Sequence, residues 1–213
     1  MGVSRPAFMR MPDVGFWKLC GSGTGEGFTP VPNTAVWAIL ATWPDQETAE
    51  RRVRTESVYC RWRDRAEESW TVFLSPSSAR GAWSGTRPFE ATGVVNDGPL
   101  AALTRATLKP SVLRRFWGQV PRIEDVIGSD PNVAFKIGIG EVPWVHQVTF
   151  SIWPDTASMN RFARESGPHA DAIKAVREGG WFKEELYARF HVLGDMGRWN
   201  GASPLDQLER IAA

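Results

Sequence analysis

The sequence has few cysteines, few histidines and no long apolar segment. Its two cysteines, Cys20 and Cys60, could form one disulfide, but a chain of this length buries enough apolar surface to fold without it. The apolar run from Ala35 to Ala41 is far shorter than a membrane-spanning helix, and the first residues lack the basic-then-apolar pattern of a secretory signal. These absences favour a cytoplasmic protein with reduced thiols.

An excess of one charge is also lacking. The 213 residues include 25 Lys and Arg against 24 Asp and Glu, which gives a formal net charge of +1. The basic residues form no stripe, so the electrostatic footprint of a nucleic-acid-binding protein is absent. No Gly-x-Ser-x-Gly motif occurs at a strand-to-helix turn. We therefore expect neither a nucleic-acid partner nor hydrolysis by a serine nucleophile.

Tryptophan, by contrast, is abundant. The chain has 11 Trp and 11 Phe but 2 Tyr. A core rich in tryptophan would explain this composition, and so would a pocket that binds a large apolar ligand, because the indole ring stacks well on flat conjugated groups. Composition alone leaves both explanations open.

Several short segments occur twice in the same order, which indicates an internal duplication. The clearest is Trp43-Pro44-Asp45, which recurs as Trp153-Pro154-Asp155 after a similar apolar stretch. The other matches, in chain order, are Trp17-Lys18-Leu19 with Phe135-Lys136-Ile137, Glu56-Ser57 with Glu165-Ser166, Trp70 with Trp181, and Gly81-x-Trp83-x-Gly85 with Gly197-x-Trp199-x-Gly201. Five matches in one order predict two related units.

The second half predicts a complete ferredoxin-like unit. Apolar periodicity indicates, in order, a strand over 100–108, a helix over 111–127, strands over 132–140 and 145–153, a helix over 156–180 that is interrupted at Gly167-Pro168, and a strand over 185–193. This order is the split βαβ arrangement. We predict an α+β fold of two tandem ferredoxin-like units, residues 1–95 and 96–213, which pack as one globular body of the dimeric α+β barrel type.

The first half is too short for the same template. Only 16 residues precede Trp17, and Pro6 and Pro12 are among them. The first unit is therefore predicted to lack its first strand, with an exposed sheet edge or gap as the consequence. We expect that Met1 is not the true start and that upstream coding sequence supplies this strand.

The glycine run from Gly21 to Gly27 does not match a phosphate-binding loop. No Gly-Lys-Ser/Thr follows it, and Glu26 and Phe28 stand where the dinucleotide motif needs glycine. It also leads through Pro30 and Pro32 into a strand rather than a helix. We interpret it as a connection between two strands, with a role as a lid over a pocket as a second interpretation.

Three histidines are candidates for metal binding, and no two have the spacing of a zinc or non-haem iron site. A haem iron needs only one axial imidazole. His169 is our first candidate, because Gly167-Pro168 breaks the helix and sets this side chain apart. His146 begins a strand and is the second choice, although a core role suits it better. His191 lies on a polar strand face and Cys20 is expected to be an inert core thiol.

One face of each central strand is a candidate substrate pocket. Trp37, Ile39, Ala41 and Trp43 share a face in the first half, and Gln147, Thr149, Ser151 and Trp153 share the matching face in the second. Polar side chains beside tryptophan are unusual in a sealed core, because buried polar groups need partners. We therefore predict Trp37, Trp43, Gln147, Thr149 and Trp153 as pocket residues.

Long blocks of the chain resemble the spheroidene monooxygenase family, the acyclic carotenoid 2-ketolases. The similar segments are 16–28, 68–74, 80–85, 145–153 and 181–190, so the resemblance spans nearly the whole chain. It departs at the front, where family members have a further segment that resembles the missing first strand.

The resemblance implies a haem-binding monooxygenase that takes electrons from a reduced ferredoxin-like donor. Such an enzyme would insert oxygen from O2 at C-2 of spheroidene-type carotenoids and form the ketone by successive hydroxylations. Its substrate lies in the membrane, so peripheral contact with the inner membrane is compatible with a cytoplasmic protein. The resemblance identifies no catalytic residue and no axial ligand. The alternatives are a non-enzymatic haem or apolar-ligand carrier and a cofactor-free oxygenase on the same scaffold.

Overall fold

Seven strands of one antiparallel sheet organise the fold in the computed structural model, which describes residues 4–27, 29–93, 97–118, 132–164 and 179–212. The strands are β1 (Trp17–Gly23), β2 (Pro32–Ala41), β3 (Trp70–Gly81), β4 (Leu100–Leu108), β5 (Phe135–Gly140), β6 (His146–Trp153) and β7 (Phe182–Gly197). The helices are α1 (Arg5–Met9), α2 (Gln46–Thr55), α3 (Ser57–Arg63), α4 (Leu113–Trp117), α5 (Thr156–Arg164) and α6 (Asp206–Ala212), with a 3₁₀ turn over Pro110–Val112.

The second unit has the complete ferredoxin-like strand set. Along the sheet the order is β2-β1-β5-β6-β4-β7-β3, so β5-β6-β4-β7 are neighbours, and each pair among them is antiparallel. If the strands of this unit are numbered in chain order, the sheet order is 2-3-1-4, as in the split βαβ arrangement. The predicted α+β ferredoxin-like fold is confirmed.

The first unit contributes three strands in the described residues. β1 pairs with β2 and with β5, and β3 pairs with β7, so β2 and β3 are the two edges of the sheet. The sheet curls until the rings of Phe16, before β1, and Trp83, after β3, lie 5.5 Å apart. In the second unit β4 lies between β6 and β7, and its equivalent would lie between β2 and β3. The result is an open barrel whose gap falls where the sequence predicted a missing strand.

Three apolar clusters hold this sheet together. The inner face of the barrel collects side chains from all seven strands into one cluster that includes Cys20, Leu103, Val148 and Leu186. On the outer face, α1, α2 and α3 cover the first unit through a second cluster around Leu19. A third, smaller cluster joins α5 to the outer face of the second unit. The barrel interior is therefore the largest apolar region.

The two Gly-x-Trp-x-Gly loops have the same backbone conformation. Gly81 and Gly197 both have positive φ angles, 101° and 89°, and the residues before the closing glycines, Ser84 and Asn200, have φ of 55° and 54°. A Cβ atom at Gly81 would lie 2.1 Å from the Glu185 carbonyl oxygen, so glycine is required there. Each tryptophan also forms an isolated bridge three residues ahead. The shared geometry supports the duplication.

The repeated Trp-Pro-Asp segment ends a strand and begins a helix in both units. The carboxylate of Asp45 accepts a hydrogen bond from the Thr48 amide at 2.7 Å, and that of Asp155 accepts one from the Ser158 amide at 2.6 Å. These amide donors lower the pKa of both side chains and cap α2 and α5. The repeat is therefore a strand terminator joined to a helix cap.

The match of Trp17 with Phe135 is wrong by one residue. Trp17 faces the outer helices, whereas Phe135 faces the barrel interior. The true partner of Phe135 is Phe16, because Phe16 packs edge-on against Trp83 as Phe135 packs against Trp199. Strand residues alternate between faces, so a shift of one residue exchanges inside and outside. Lys18 is consequently equivalent to Ile137.

Element bounds differ from the sequence predictions mainly in length. The strands predicted over 132–140 and 185–193 extend over Phe135–Gly140 and Phe182–Gly197. The predicted helices over 111–127 and 156–180 are described only as far as Trp117 and Arg164, and their remaining parts fall largely outside the described residues.

The glycine-rich connection lies directly against β5. The Gly138 amide donates to the Glu26 carbonyl at 2.8 Å, and Lys136 forms an ion pair with Glu26 at 2.8 Å. A Cβ atom on Gly27 would lie 1.7 Å from the Gly138 carbonyl oxygen, and Gly27 has a positive φ of 93°. Glycine is needed here for close packing of two backbones. The connection is shorter than predicted, because Gly21, Ser22 and Gly23 belong to β1.

An extended strand that fills the gap should stabilise the protein. We expect that a strand-forming extension added before Met1 allows backbone pairing with the free edges of β2 and β3 and reduces edge-to-edge aggregation. Thermal unfolding should shift upward by several degrees, and light scattering should fall. An extension of the same length and scrambled sequence is the control; equal effects of the two would contradict the prediction.

Candidate functional site

Five ionisable side chains meet around Trp83 at one end of the otherwise apolar barrel. We call this group the charged mouth; it consists of Lys18 on β1, Arg105 on β4, Glu141 after β5, His146 at the start of β6 and Glu184 on β7. Trp83 is fully buried at their centre. Alternation along β1, β4 and β7 aims their charged side chains to the same side as the apolar core residues.

Glu141 lies at the centre of one half of the charged mouth. Its Oε1 accepts a hydrogen bond from Trp83 Nε1 at 2.9 Å and lies 3.2 Å from Lys18 Nζ. Its Oε2 lies 3.2 Å from His146 Nδ1. Lys18 Nζ also donates to the Ser84 hydroxyl at 2.7 Å. The carboxylate thus accepts a hydrogen bond from an indole and lies beside an ammonium group and an imidazole.

Arg105 and Glu184 form the other half. Arg105 is 1% exposed, its guanidinium carbon lies 5.6 Å from the centre of the Trp83 ring, and it forms an ion pair with Glu184. The Glu184 carboxylate also accepts hydrogen bonds from the amides of Ser84 and Gly85 at 3.0 and 2.7 Å. Glu184 therefore both neutralises a buried cation and holds the loop that carries Trp83.

The environment shifts the pKa values of two groups in this region. Burial, followed by the negative charge of Glu141, raises the pKa of the Cys20 thiol, so Cys20 stays protonated at neutral pH. Burial opposes ionisation of Glu184, but the Gly85 and Ser84 amides and Arg105 outweigh it and lower the pKa of Glu184. Glu184 therefore remains a carboxylate well below neutral pH.

Three buried polar atoms of the charged mouth make no hydrogen bond within the described residues: Arg105 Nε, Glu141 Oε2 and His146 Nδ1. Burying such atoms without partners is costly, and they concentrate at functional sites. The mouth can therefore hydrogen-bond a polar group inside an apolar barrel. Two of the three atoms, Glu141 Oε2 and His146 Nδ1, lie 3.2 Å apart without the geometry of a hydrogen bond.

Among the described residues, the opposite end of the barrel has no charged counterpart of Lys18, Arg105 or His146. Ile137 takes the place of Lys18 there, and Val36 takes the place of His146. Glu68 is the equivalent of Glu184, since its carboxylate accepts hydrogen bonds from the Asn200 and Gly201 amides at 2.6 and 2.8 Å. Both ends thus have a glutamate that accepts hydrogen bonds from the loop of the other unit. In the described residues, the buried charge cluster occurs only at the end that contains Trp83.

The predicted haem ligands are distributed as follows. His169, the first candidate, lies outside the described residues. His146 is half-buried and belongs to the charged mouth. His191 is also half-buried, in the middle of β7, rather than on a fully exposed face. Cys20 lies inside the barrel beneath the charged mouth, with its thiol protonated.

The predicted pocket residues lie on the outer face of the sheet. Trp43 packs in the outer cluster of the first unit, and Trp153 packs against α5 in that of the second. Trp37 is 47% exposed, and its indole nitrogen donates to the Thr34 carbonyl at 2.8 Å. Gln147 and Thr149 share this outer face because they alternate with the buried Val148. The structure does not gather these five residues at the charged mouth.

Sequence reasoning missed Lys18, Arg105, Glu141 and Glu184. One signal was present: Arg105 interrupts the apolar series of β4, and a charge at an inward position of a core strand requires a partner. The others could not be recognised, because they come from strands that only the completed barrel brings together.

Neither a metal-binding cluster nor a membrane-spanning helix is found in the described residues. Within the described ranges, no group of three or more His, Cys, Asp or Glu side chains has an arrangement suited to a metal ion. The helices of this part of the chain are all too short or too polar to cross a bilayer.

Three curated relatives share the name spheroidene monooxygenase. The chain is 56% identical to that of Cereibacter sphaeroides over 92% of its own length, but spans 61% of that relative's length. It is 52% identical to that of Rhodobacter capsulatus, covering 100% of the chain and 90% of the relative. It is 33% identical to that of Rubrivivax gelatinosus, over 89% of this chain and 73% of the relative.

No protein-family model matches the chain. Among solved structures, a candidate monooxygenase of Fusobacterium nucleatum aligns over 92% of this chain and 86% of its own, with a TM-score of 0.44 and 10% identity. An anthrone oxidase-like protein aligns over 95% and 87%, with a TM-score of 0.37 and 9% identity. These similarities are too low to support a functional conclusion.

Replacing Glu184 should destabilise the protein more than replacing its equivalent, Glu68. Both carboxylates hold two loop amides, but Glu184 also neutralises the buried Arg105, whereas the partner of Glu68 is Arg198, whose side chain is 62% exposed. We expect Glu184→Ala to lower the free energy of unfolding by about 3 kcal/mol or more and Glu68→Ala by about 1 kcal/mol, measured by urea denaturation. Equal losses would contradict the burial argument.

Proposed function

The chain belongs to the spheroidene monooxygenase family, and from this membership we propose that it inserts oxygen from O2 at C-2 of spheroidene-type acyclic carotenoids in a haem-dependent reaction. Each hydroxylation would consume one O2, two electrons and two protons, place one oxygen atom in the C–H bond and release the other as water. A second hydroxylation at the same carbon gives a geminal diol, which loses water to form the ketone. A reduced ferredoxin-like donor would supply the electrons.

The charged mouth is the observation that carries this proposal. An oxygenase of a hydrocarbon needs an apolar environment for its substrate and polar groups that deliver protons to the reaction. Both conditions meet where the rings of Trp83 and Phe16 adjoin Glu141 and His146. In this proposal Phe16, which packs beside the buried Trp83, contacts the end group of the polyene, and the Glu141 carboxylate, 3.2 Å from His146 Nδ1, orients this imidazole.

The donor set of the chain is compatible with haem. An imidazole whose Nδ1 faces a carboxylate presents Nε2 to a metal, and His146 has this arrangement with Glu141. His169 remains the first candidate from the sequence. When bound, haem would supply the iron at which O2 is reduced. Lys18 and Arg105 would balance negative charge at the same end of the barrel.

We further propose that the protein is cytoplasmic and associates peripherally with the inner membrane, because a long polyene is dissolved in the bilayer. Carotenoid biosynthesis would be its physiological setting. The protein would have to withdraw at least the C-2 end of its substrate from the lipid for the reaction.

Substitution of the three histidines should identify the axial ligand. We expect His169→Ala to abolish or strongly weaken haem binding with little change in folding, because the axial imidazole bonds directly to iron. His146→Ala should lower the free energy of unfolding by about 1–3 kcal/mol and affect haem less, and His191→Ala should leave the haem spectrum unchanged. The measurement is a titration of the Soret band beside melting curves for each variant.

Three results would change the assignment of the ligand or of the function. Full haem occupancy in His169→Ala together with loss in His146→Ala would transfer the ligand role to His146. Absence of a Soret band in haem-supplemented wild type would contradict haem dependence and favour a cofactor-free oxygenase. A Soret band without conversion of spheroidene, given reductant and O2, would contradict the proposed enzyme and favour a carrier.

A further inference from the structure

The hairpin between β5 and β6 carries exposed apolar side chains directly beside the charged mouth. Its two ends are Glu141 and His146, both members of the mouth. Between them, Val142 is 44% exposed and Trp144 is 57% exposed. An exposed tryptophan so close to a candidate site calls for a functional explanation.

The backbone holds Trp144 in an unusual conformation. Its φ angle is 70°, a left-handed value that bulky residues rarely adopt. The indole nitrogen donates to the Pro30 carbonyl at 2.7 Å, which fixes the ring beside the connection between β1 and β2. On that connection Val31 is 57% exposed. The tip therefore presents an ordered apolar surface rather than a single protruding ring.

Helix α4 adds positive charge to this surface. Trp117 Nε1 donates to the Trp144 carbonyl at 3.1 Å, so the end of α4 is tied to the hairpin tip. Arg114 precedes Trp117 by one helical turn and therefore lies on the same side of the helix. Arg114 and Arg115 are both exposed, and neither forms an ion pair within the described part of the chain. The Arg115 guanidinium lies 4.8 Å from the centre of the Trp181 ring, so Arg114 is the cation that this surface adds to its apolar rings.

We propose that this surface, formed by Val31, Val142, Trp144, Trp117 and Arg114 and called here the docking tip, binds the surface of an anionic phospholipid bilayer. Tryptophan favours the interface between hydrocarbon and water, and arginine is attracted to anionic headgroups. A stable protein interface buries about 800 Å² on each partner, more than a hairpin tip with three exposed apolar side chains offers. The inference rests on the proposed function, since it brings the charged mouth against the bilayer that would hold the substrate.

Flotation with vesicles tests the proposal. Wild-type protein should float with vesicles of equal parts phosphatidylglycerol and phosphatidylcholine, bind phosphatidylcholine vesicles more weakly, and lose the difference at high salt. Trp144→Asn, in which asparagine tolerates the left-handed backbone, and Arg114→Glu should each weaken binding about five- to tenfold. Val142→Ser is a second apolar variant, and Met9→Ser, at a side chain that is 76% exposed on α1, is the matched control and should bind as wild type does.

Melting curves and turnover of detergent-dispersed spheroidene, measured on the same proteins, separate docking from catalysis. Weakened flotation in the docking-tip variants, with unchanged melting and turnover, supports the proposal. Wild type that binds vesicles through Trp144 but converts no spheroidene also supports docking, while it contradicts the proposed function. Flotation that is equal in wild type, Trp144→Asn and Arg114→Glu, or self-association through this face without vesicle binding, would overturn the proposal.

Discussion

Pairing between the two units is the constraint on which the rest of the structure depends. A ferredoxin-like unit covers one face of its sheet with helices and leaves the other apolar face bare. β1 pairs with β5 and β3 pairs with β7, and the two bare faces become the inside of one open barrel. Each unit also holds a loop of the other unit, because Glu184 accepts a hydrogen bond from the Ser84 amide and Glu68 accepts one from the Asn200 amide. The charged mouth exists only because these contacts bring strands of both units to the same end.

Duplication produces two similar barrel ends, and the chain has specialised one of them. Lys18 and His146 stand where the other end has Ile137 and Val36. Arg105 has no counterpart in the described residues, since no described strand of the first unit is equivalent to β4. Burial of Arg105 requires the Glu184 carboxylate, and this requirement ties the site to the glutamate that holds the loop of Trp83. Site and scaffold therefore depend on the same ion pair.

The fold was predictable from the sequence to a large extent, because repeated segments such as Trp-Pro-Asp report local events, the end of a strand and the cap of a helix. The register between the two units was harder to predict. Trp17 and Phe135 are both aromatic residues before a lysine, but Trp17 faces the outer helices and Phe135 faces the barrel interior. The site could hardly be predicted from the sequence, because Glu141 and Glu184 contact their partners only across neighbouring strands of the folded barrel. The mixture of polar and aromatic residues on the face from Trp37 to Trp153 predicted a pocket. In the structure this face is the outer surface of the sheet, which is partly covered by helices and partly exposed. His169 lies outside the described residues, and its role stays a prediction.

The most direct test of the account is isotopic labelling of the product. Purified protein supplied with haem, a reduced ferredoxin and spheroidene under ¹⁸O₂ should yield a C-2 hydroxylated product with one heavy oxygen atom, detected by mass spectrometry before the ketone exchanges with water. Glu141→Gln, which keeps the shape of the side chain but removes the charge that orients His146, should lower product formation by about 10²-fold or more while the protein remains folded. Product without heavy oxygen, or full activity in Glu141→Gln, would contradict an oxygenase that works at the charged mouth.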